Sequence, residues 1–129
     1  MTGLKIDRAE LQKQLKAKLE PHAYAGGAQL IEDLSHEGSG RQYEGNPRRS
    51  SVPGEMPAPQ SEALIQSIDV RYQGNLAWAI GSFADQDAEG FEHAVELESR
   101  PPEQGGRPFL EQEWADPEFR KAVLTGKGP

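Results

Sequence analysis

The chain has 129 residues, no cysteine and a formal net charge of −7. This length predicts one domain, residues 1–129, and the lack of cysteine excludes disulfides, thiolate catalysis and zinc sites built on cysteine. The hydrophobic fraction is 35% and the mean hydropathy is −0.76, which is polar for a self-sufficient globule. Either a long part of the chain is exposed, or partner subunits supply part of the burial.

Acidic residues are concentrated in the C-terminal part. Between residues 84 and 118, eleven carboxylates are opposed only by Arg100 and Arg107. Proteins that wrap nucleic acid need clustered Lys and Arg, so this part argues against that class. No apolar stretch follows residues 1–5, so we expect no signal peptide there, and no apolar run approaches the ~20 residues that span a bilayer. We expect a protein made in a cytoplasm, with no membrane partner.

The N-terminal segment, residues 6–34, has the period of an amphipathic helix. Leu11, Leu15 and Leu19 recur every four residues, and more apolar residues continue the stripe towards Leu34. Asp7 is the predicted N-cap, with Glu10 three residues later. Pro21 and the pair Gly26-Gly27 weaken the helix, so we expect one long kinked helix or two helices joined near Pro21. A Gly-Gly pair can also let a neighbour approach closely, although we interpret it as a weak spot.

A long loop follows. Between Gly38 and Pro59 there are eight glycines and prolines, a density that precludes regular structure. Loops of this length are usually functional or disordered until bound, and the alternative is a solvated flexible segment. We interpret residues 38–59 as a protruding assembly loop. Its paired arginines, Arg48 and Arg49, suit bidentate contacts with carboxylates of another subunit.

The next segment predicts a short helix and a β-hairpin. Ser61 is the predicted cap of a helix over residues 62–67. Ile68, Val70 and Tyr72 alternate with polar residues, as in a half-buried strand. The turn residues Gly74-Asn75 separate this strand from a second apolar run, residues 76–83.

The C-terminal third predicts small elements. Residues 91–97 fit either one helical turn or a strand, and residues 100–106 form a Pro/Gly loop. We expect Arg107–Leu110 to be a short extended edge segment. Asp116 caps a last helix with Pro117 in its first position, running to about Leu124, before a tail over residues 125–129. The fold class is therefore α+β, with the N-terminal helix packed on a small antiparallel sheet and a short C-terminal helix.

No sequence signature of catalysis is present, and we expect neither enzyme activity nor a cofactor. The three histidines lie in separate elements, so they predict no metal site. Asp85-Gln-Asp87-Ala-Glu89-Gly90 followed by Glu96 has the spacing of an EF-hand calcium loop. The preceding segment predicts a strand, which removes the helix–loop–helix frame, so a calcium-binding module at Asp85–Glu96 is only an alternative. A second alternative is an accessory nucleic-acid-binding protein that uses the Arg48-Arg49 loop.

Two separated stretches carry a family resemblance. The first contains Ser39-Gly-Arg-Gln-Tyr43, Ser50-Ser-Val-Pro-Gly-Glu-Met-Pro-Ala58 and Ser61-Glu-Ala-Leu-Ile-Gln-Ser-Ile68. The second contains Phe91-Glu-His-Ala-Val-Glu-Leu-Glu98 and Gly106-Arg-Pro-Phe-Leu110. Their order and separation resemble the tail-completion or neck proteins, which are tail-terminator-like head–tail joining proteins of long-tailed double-stranded DNA bacteriophages. Glu98 departs from that pattern, because the family usually has glycine there.

The resemblance implies an α+β fold and a structural role in the virion tail or neck. It implies a homo-oligomeric ring, with six copies by analogy with tail-tube symmetry, that contacts the tail-tube protein and the head-side connector or stopper proteins. Genome DNA would pass through the channel without specific binding, since like charge keeps it from sticking. The residues that we predict at subunit or partner interfaces are Arg41, Tyr43, Arg48, Arg49, Glu55, Arg107 and Phe109.

Overall fold

The computed structural model describes residues 3–36, 38, 40, 44, 51, 55–57 and 62–129. Its helices and strands follow one another as α1 (Arg8–Asp33), α2 (Ala63–Gln66), β1 (Ile68–Gly74), β2 (Ala77–Ser82), α3 (Ala88–Ser99), α4 (Phe109–Ala115) and α5 (Pro117–Thr125). A 3-10 turn, Pro102–Gln104, lies between α3 and α4. The α+β prediction is confirmed, with helices around a two-stranded antiparallel sheet.

α1 is one continuous helix that contains Pro21. The predicted cap is confirmed, since the Asp7 side chain accepts a hydrogen bond from the Glu10 amide at 3.2 Å. The C-terminal half of the helix packs against the sheet and α5, and the buried residues of α1 all lie between Ala23 and Leu30. The N-terminal half contributes nothing to this core. The amphipathic stripe of the predicted helix therefore packs on the sheet only in its C-terminal part, and its first three members, Leu11, Leu15 and Leu19, are exposed.

The pair Gly26-Gly27 is a packing feature and not a weak spot. A Cβ on Gly26 would lie 2.9 Å from Val123 Cγ2 of α5, and a Cβ on Gly27 would lie 2.4 Å from Val70 Cγ2 of β1. These glycines therefore let side chains of the sheet and α5 reach the α1 backbone. His22 supports the same contact, with its Nδ1 2.6 Å from the Val123 carbonyl oxygen.

The predicted hairpin is confirmed, but its turn lies one residue later than expected. β1 and β2 pair in antiparallel register from Ile68 opposite Ser82 to Tyr72 opposite Trp78. Asn75 and Leu76 occupy the turn between the paired residues Gly74 and Ala77, with φ of 51° and 60°. Gly74 also has a positive φ, of 89°, so the left-handed stretch includes the predicted pair and extends to Leu76. The Leu76 amide donates to the Tyr72 hydroxyl at 3.2 Å, which helps to hold a conformation that costs Leu about 1 kcal/mol.

Two elements of the C-terminal third differ from expectation. Residues 91–97, which fit either a helical turn or a strand, lie in the helix α3, whose N-cap Asp87 accepts from the Gly90 amide at 2.9 Å. The predicted edge segment Arg107–Leu110 is wrong, because α4 begins at Phe109. Glu98 explains this start, since its carboxylate accepts from the amides of Leu110 and Glu111 at 3.1 and 3.2 Å. Although Glu98 belongs to α3, its carboxylate lies at the N-terminus of α4, where a helix favours negative charge.

The core lies where α1, α2, α3 and α4 meet the sheet. Its buried members are Leu30, Leu34, Leu64, Ile68, Ala94, Leu97 and Phe109, with Met56 and Ile80 packed against them. α5 adds Phe119 and Ala122. Its predicted N-cap is confirmed, as Asp116 accepts from the Glu118 amide at 3.0 Å and Pro117 opens the helix. α2 begins at Ala63 with Glu62 in the cap position and no side-chain cap bond, and Ser61 lies outside the described residues.

Candidate functional site

Most of the predicted interface residues belong to the long loop. Arg41, Tyr43, Arg48 and Arg49 lie outside the described residues, so the loop's proposed contacts and the nucleic-acid alternative both stay predictions. Of the loop's described residues, Glu55 and Met56 are half-buried, and Ser51 and Pro57 are buried. These parts of the segment lie against the body of the protein and do not protrude.

Arg107 ties the loop to the body. Its Nη2 donates to the Ser51 carbonyl at 2.8 Å and its Nη1 donates to the Gly105 carbonyl at 2.7 Å. The backbone amide of Arg107 donates to the Leu97 carbonyl at 2.9 Å. The guanidinium therefore joins the loop to the end of the 3-10 turn, while the backbone amide of the same residue joins this turn to α3. Phe109 is fully buried in the core, so in this conformation its side chain is not available to a partner.

We expect Arg107→Ala to lower the free energy of unfolding by about 2 kcal/mol, because it removes two charge-assisted hydrogen bonds. Urea unfolding measures this loss, and limited proteolysis should cut the segment 38–59 faster. Arg100→Ala is the matched control, since Arg100 is exposed and its guanidinium forms a 4.0 Å surface ion pair with Glu96. Equal stability of the two variants would contradict the anchoring role.

The first four turns of α1 carry an apolar surface that the described residues cover only in part. Leu11, Leu15 and Leu19, here called the leucine stripe, are 47%, 37% and 38% exposed. Basic side chains flank it, with Arg8 three residues before Leu11 and Lys18 three residues after Leu15. Single exposed leucines are ordinary, but a row of three on one helix face makes this face a candidate interaction surface.

A second apolar surface lies on α3. Phe91 and Val95 are 36% and 50% exposed, and with Ala94 and Leu110 they line a groove of about 310 Å³. Glu98 lies in the groove wall and the exposed Glu92 lies three residues before Val95. α3 has four glutamates and no Lys or Arg. This surface, here called the α3 groove, is thus apolar with an acidic border, the electrostatic complement of the leucine stripe.

A cluster of three carboxylates lies on the other side of α4. Oxygen atoms of Asp33, Glu113 and Asp116 lie within 4.8 Å of one another. The end of α1 supplies Asp33, α4 supplies Glu113, and the junction of α4 with α5 supplies Asp116. Glu113 is only 3% exposed and also lines an apolar cavity of about 290 Å³ with Leu30 and Trp78. This group is here called the carboxylate cluster.

The carboxylate cluster lacks a donor for its innermost oxygens. Within the described part of the chain, Asp33 Oδ2 and both Glu113 carboxylate oxygens have no hydrogen-bond partner. Burial, followed by the neighbouring Asp33 carboxyl, raises the pKa of Glu113 to about 9. Burial also raises the pKa of Asp33, an effect that a hydrogen bond from Glu113 opposes. Glu113 therefore holds a proton at neutral pH, and that proton gives the pair of facing carboxyls the donor it otherwise lacks.

The calcium loop considered at Asp85–Glu96 is not formed. α3 begins at Ala88, so most of the twelve-residue segment is helical, and Asp87 is used as a helix cap. Asp85 pairs instead with Arg71, which also contacts Asp69 at 3.0 Å. Gly90 has a packing role, since it lies against the backbone of Ala63. Asp87 therefore serves as the N-cap of α3, and Glu89 and Glu96 lie on the exposed face of that helix.

Sequence reasoning missed the carboxylate cluster because its members are brought together by tertiary contacts. Asp33 is eighty residues from Glu113 in the chain. One local signal was present: Glu113 lies four residues after the buried Phe109, so both point to the same side of α4. A carboxylate at a core-facing helix position predicts a perturbed group.

In the described part of the chain, no helix combines the length and the apolar character that a membrane crossing requires. No family model matches the chain, and no curated protein or solved structure shows significant similarity to it.

Proposed function

We propose that the chain is a structural subunit that assembles with copies of itself, and that it has no enzyme activity. The observation that carries this proposal is the leucine stripe: three leucines on one face of α1 remain exposed in the single chain. The face continues directly into the part of α1 that packs against the sheet and α5. A helix whose apolar face extends past its own core is suited to bury the remainder against a partner.

The partner surface that fits the leucine stripe is the α3 groove of the next copy. Residues 5–20 include five basic and three acidic side chains, whereas α3 has four glutamates and no Lys or Arg. The opposite charges around the leucine stripe and the α3 groove favour the pairing of these two apolar surfaces and determine how the two copies are oriented. Because the two surfaces differ, the contact is heterologous, and repeated heterologous contacts close into a ring when the rotation allows.

The resemblance to phage tail-completion and neck proteins gives this ring a biological setting. In that setting six copies would complete the tail and join it to the head, between the tail-tube protein and the head-side connector or stopper proteins. The acidic residues between 84 and 118 would face or flank the channel, where like charge lets genome DNA pass without specific binding. The subunit would be made in the host cytoplasm and kept in the virion.

Leu15→Glu should weaken assembly by roughly 100-fold or more, since it places an unpaired charge in an apolar contact. Light scattering during size-exclusion chromatography measures the mass. Ala17→Glu is the matched control, because residue 17 is exposed on the opposite side of α1 and adds the same charge. Circular dichroism should show equal helix content in both variants. Assembly that survives Leu15→Glu but fails in Ala17→Glu would refute the role of the leucine stripe.

The biological setting has a separate test. Mass spectrometry of purified particles from a strain that encodes this chain should detect it at a few copies per particle. Deletion of its gene should leave filled heads and free tails that do not join. Complete particles that lack the protein would refute the virion role, while leaving self-assembly of the purified chain intact.

A further inference from the structure

We propose that the carboxylate cluster is a binding site for a hard divalent cation, Ca²⁺. Asp33, Glu113 and Asp116 come from three different places in the fold and present oxygens within 4.8 Å of one another. Oxygens that share one Ca²⁺ at about 2.3–2.6 Å lie no more than about 5 Å apart, so the spacing fits. Hard cations prefer carboxylate oxygen, and the cluster contains neither the histidine nor the cysteine typical of zinc.

A second observation separates this cluster from ordinary surface acidity. Glu113 is 3% exposed and directed at the two aspartates, and among the described residues no group outside the cluster donates a hydrogen bond to either of its oxygens or to the buried Asp33 Oδ2. Buried carboxylates in proteins are paired, protonated or bound to a metal. None of the ion pairs between described residues involves these three side chains.

The outer two ligands are already oriented. Asp33 Oδ1 accepts from Gln29 Nε2 at 3.0 Å, which leaves Oδ2 directed inward. Asp116 Oδ1 accepts from the Glu118 amide at 3.0 Å. Second contacts of this kind hold metal ligands in place and reduce the cost of binding. The ion would join the C-terminal end of α1 to the junction of α4 and α5, and so it would stiffen the body that carries α1.

Both tryptophans of the chain, Trp78 and Trp114, line the cavity that also contains Glu113. They provide a direct readout with Tb³⁺, which substitutes for Ca²⁺ and emits when a nearby tryptophan is excited. Full-length protein freed of metal by chelation should show saturable Tb³⁺ emission that Ca²⁺ competes away. Calorimetry with Ca²⁺ should give a single site, and the melting temperature should rise with Ca²⁺.

Asp33→Asn and Glu113→Gln should each weaken Ca²⁺ binding by tenfold or more, and Glu103→Gln, an exposed glutamate in the 3-10 turn, should not change it. Using two ligand variants keeps the test valid if one of them fails to fold. The proposal is overturned if the wild-type chain shows neither heat nor Tb³⁺ emission up to ~1 mM Ca²⁺ or Tb³⁺. It is also overturned if binding persists in both ligand variants, which would indicate adsorption to the acidic surface.

Discussion

In buffer containing a chelator, Glu113→Gln should be more stable than the wild-type chain at pH 8, by on the order of 2 kcal/mol. Burial raises the pKa of Glu113 from 4.5 to about 9 in the folded chain. Between these two values the folded chain binds one more proton than the unfolded chain. The free energy of unfolding therefore falls as pH rises through this window, and the raised pKa of Asp33 acts in the same direction.

Glutamine removes this dependence because it is neutral at every pH and nearly the same size. Its amide can also donate to Asp33 Oδ2, as the protonated carboxyl does. Urea unfolding at several pH values from 5 to 9 measures the effect. The wild type should lose stability steadily towards pH 9, and the Glu113→Gln profile should be flatter.

The matched control is Glu111→Gln, which changes an exposed carboxylate on the same helix. It should follow the wild-type profile within about 0.5 kcal/mol. A wild-type profile without slope between pH 5 and 8 would contradict the protonated state of Glu113. A Glu113→Gln variant that is less stable than wild type throughout would contradict it equally.

Gly90→Ala should be the most damaging single substitution that we consider. A Cβ at this position would lie 1.9 Å from the Ala63 carbonyl oxygen and 2.5 Å from its carbon. Both are backbone atoms, so no side-chain rotation can relieve the clash, and α2 and α3 must separate. We expect a loss of about 3 kcal/mol, since overpacking exceeds the gain of about 1 kcal/mol from replacing glycine in a helix. The melting temperature should fall by roughly 10 °C.

Gly81→Ala is the control for Gly90→Ala. Gly81 lies in β2, and a Cβ there would have no neighbour within 4 Å. Its effect on stability should stay within about 0.5 kcal/mol. If Gly81→Ala destabilised the chain as much as Gly90→Ala, the close approach of α3 to α2 would not be the cause.

The helix caps and the hairpin could be predicted from the sequence because their signals are local. Asp7 before α1 and Asp116-Pro117 before α5 each satisfy amides within three residues, and the structure uses both caps. The pattern places the hairpin turn at Gly74-Asn75, one residue early, because glycine and asparagine are the preferred left-handed residues. Gly74 does have a positive φ, but Leu76 has one as well, and the two residues of the turn are Asn75 and Leu76.

The elements that could not be predicted depend on distant contacts. α4 starts where Glu98 accepts two amide hydrogen bonds from the next helix, and the pattern of residues 107–110 alone gives no sign of this. The leucine stripe shows a second limit of prediction from sequence. A four-residue repeat predicts a buried helix face, but it does not reveal whether the covering surface belongs to the same chain or to another copy.

The candidate sites also divide into those that the sequence indicates and those that depend on tertiary contacts. The resemblance directed attention to the loop arginines, of which Arg41, Arg48 and Arg49 lie outside the described residues. Arg107, also predicted at an interface, serves an internal anchor. The sequence identifies the leucine stripe only as one face of an amphipathic helix, and it gives no sign that Asp33, Glu113 and Asp116 meet in the carboxylate cluster. Both depend on which faces the tertiary fold leaves open or brings together.

Heterologous assembly is the central claim, and an engineered disulfide tests it most directly. Because the chain has no cysteine, Leu15→Cys on one copy and Val95→Cys on another introduce the only thiols. We predict that co-expressed, differently tagged chains oxidise to a disulfide-linked dimer that contains both tags, whereas neither variant alone forms one efficiently. If the mixed pair did not cross-link while Leu15→Cys cross-linked efficiently to itself, heterologous assembly would be contradicted.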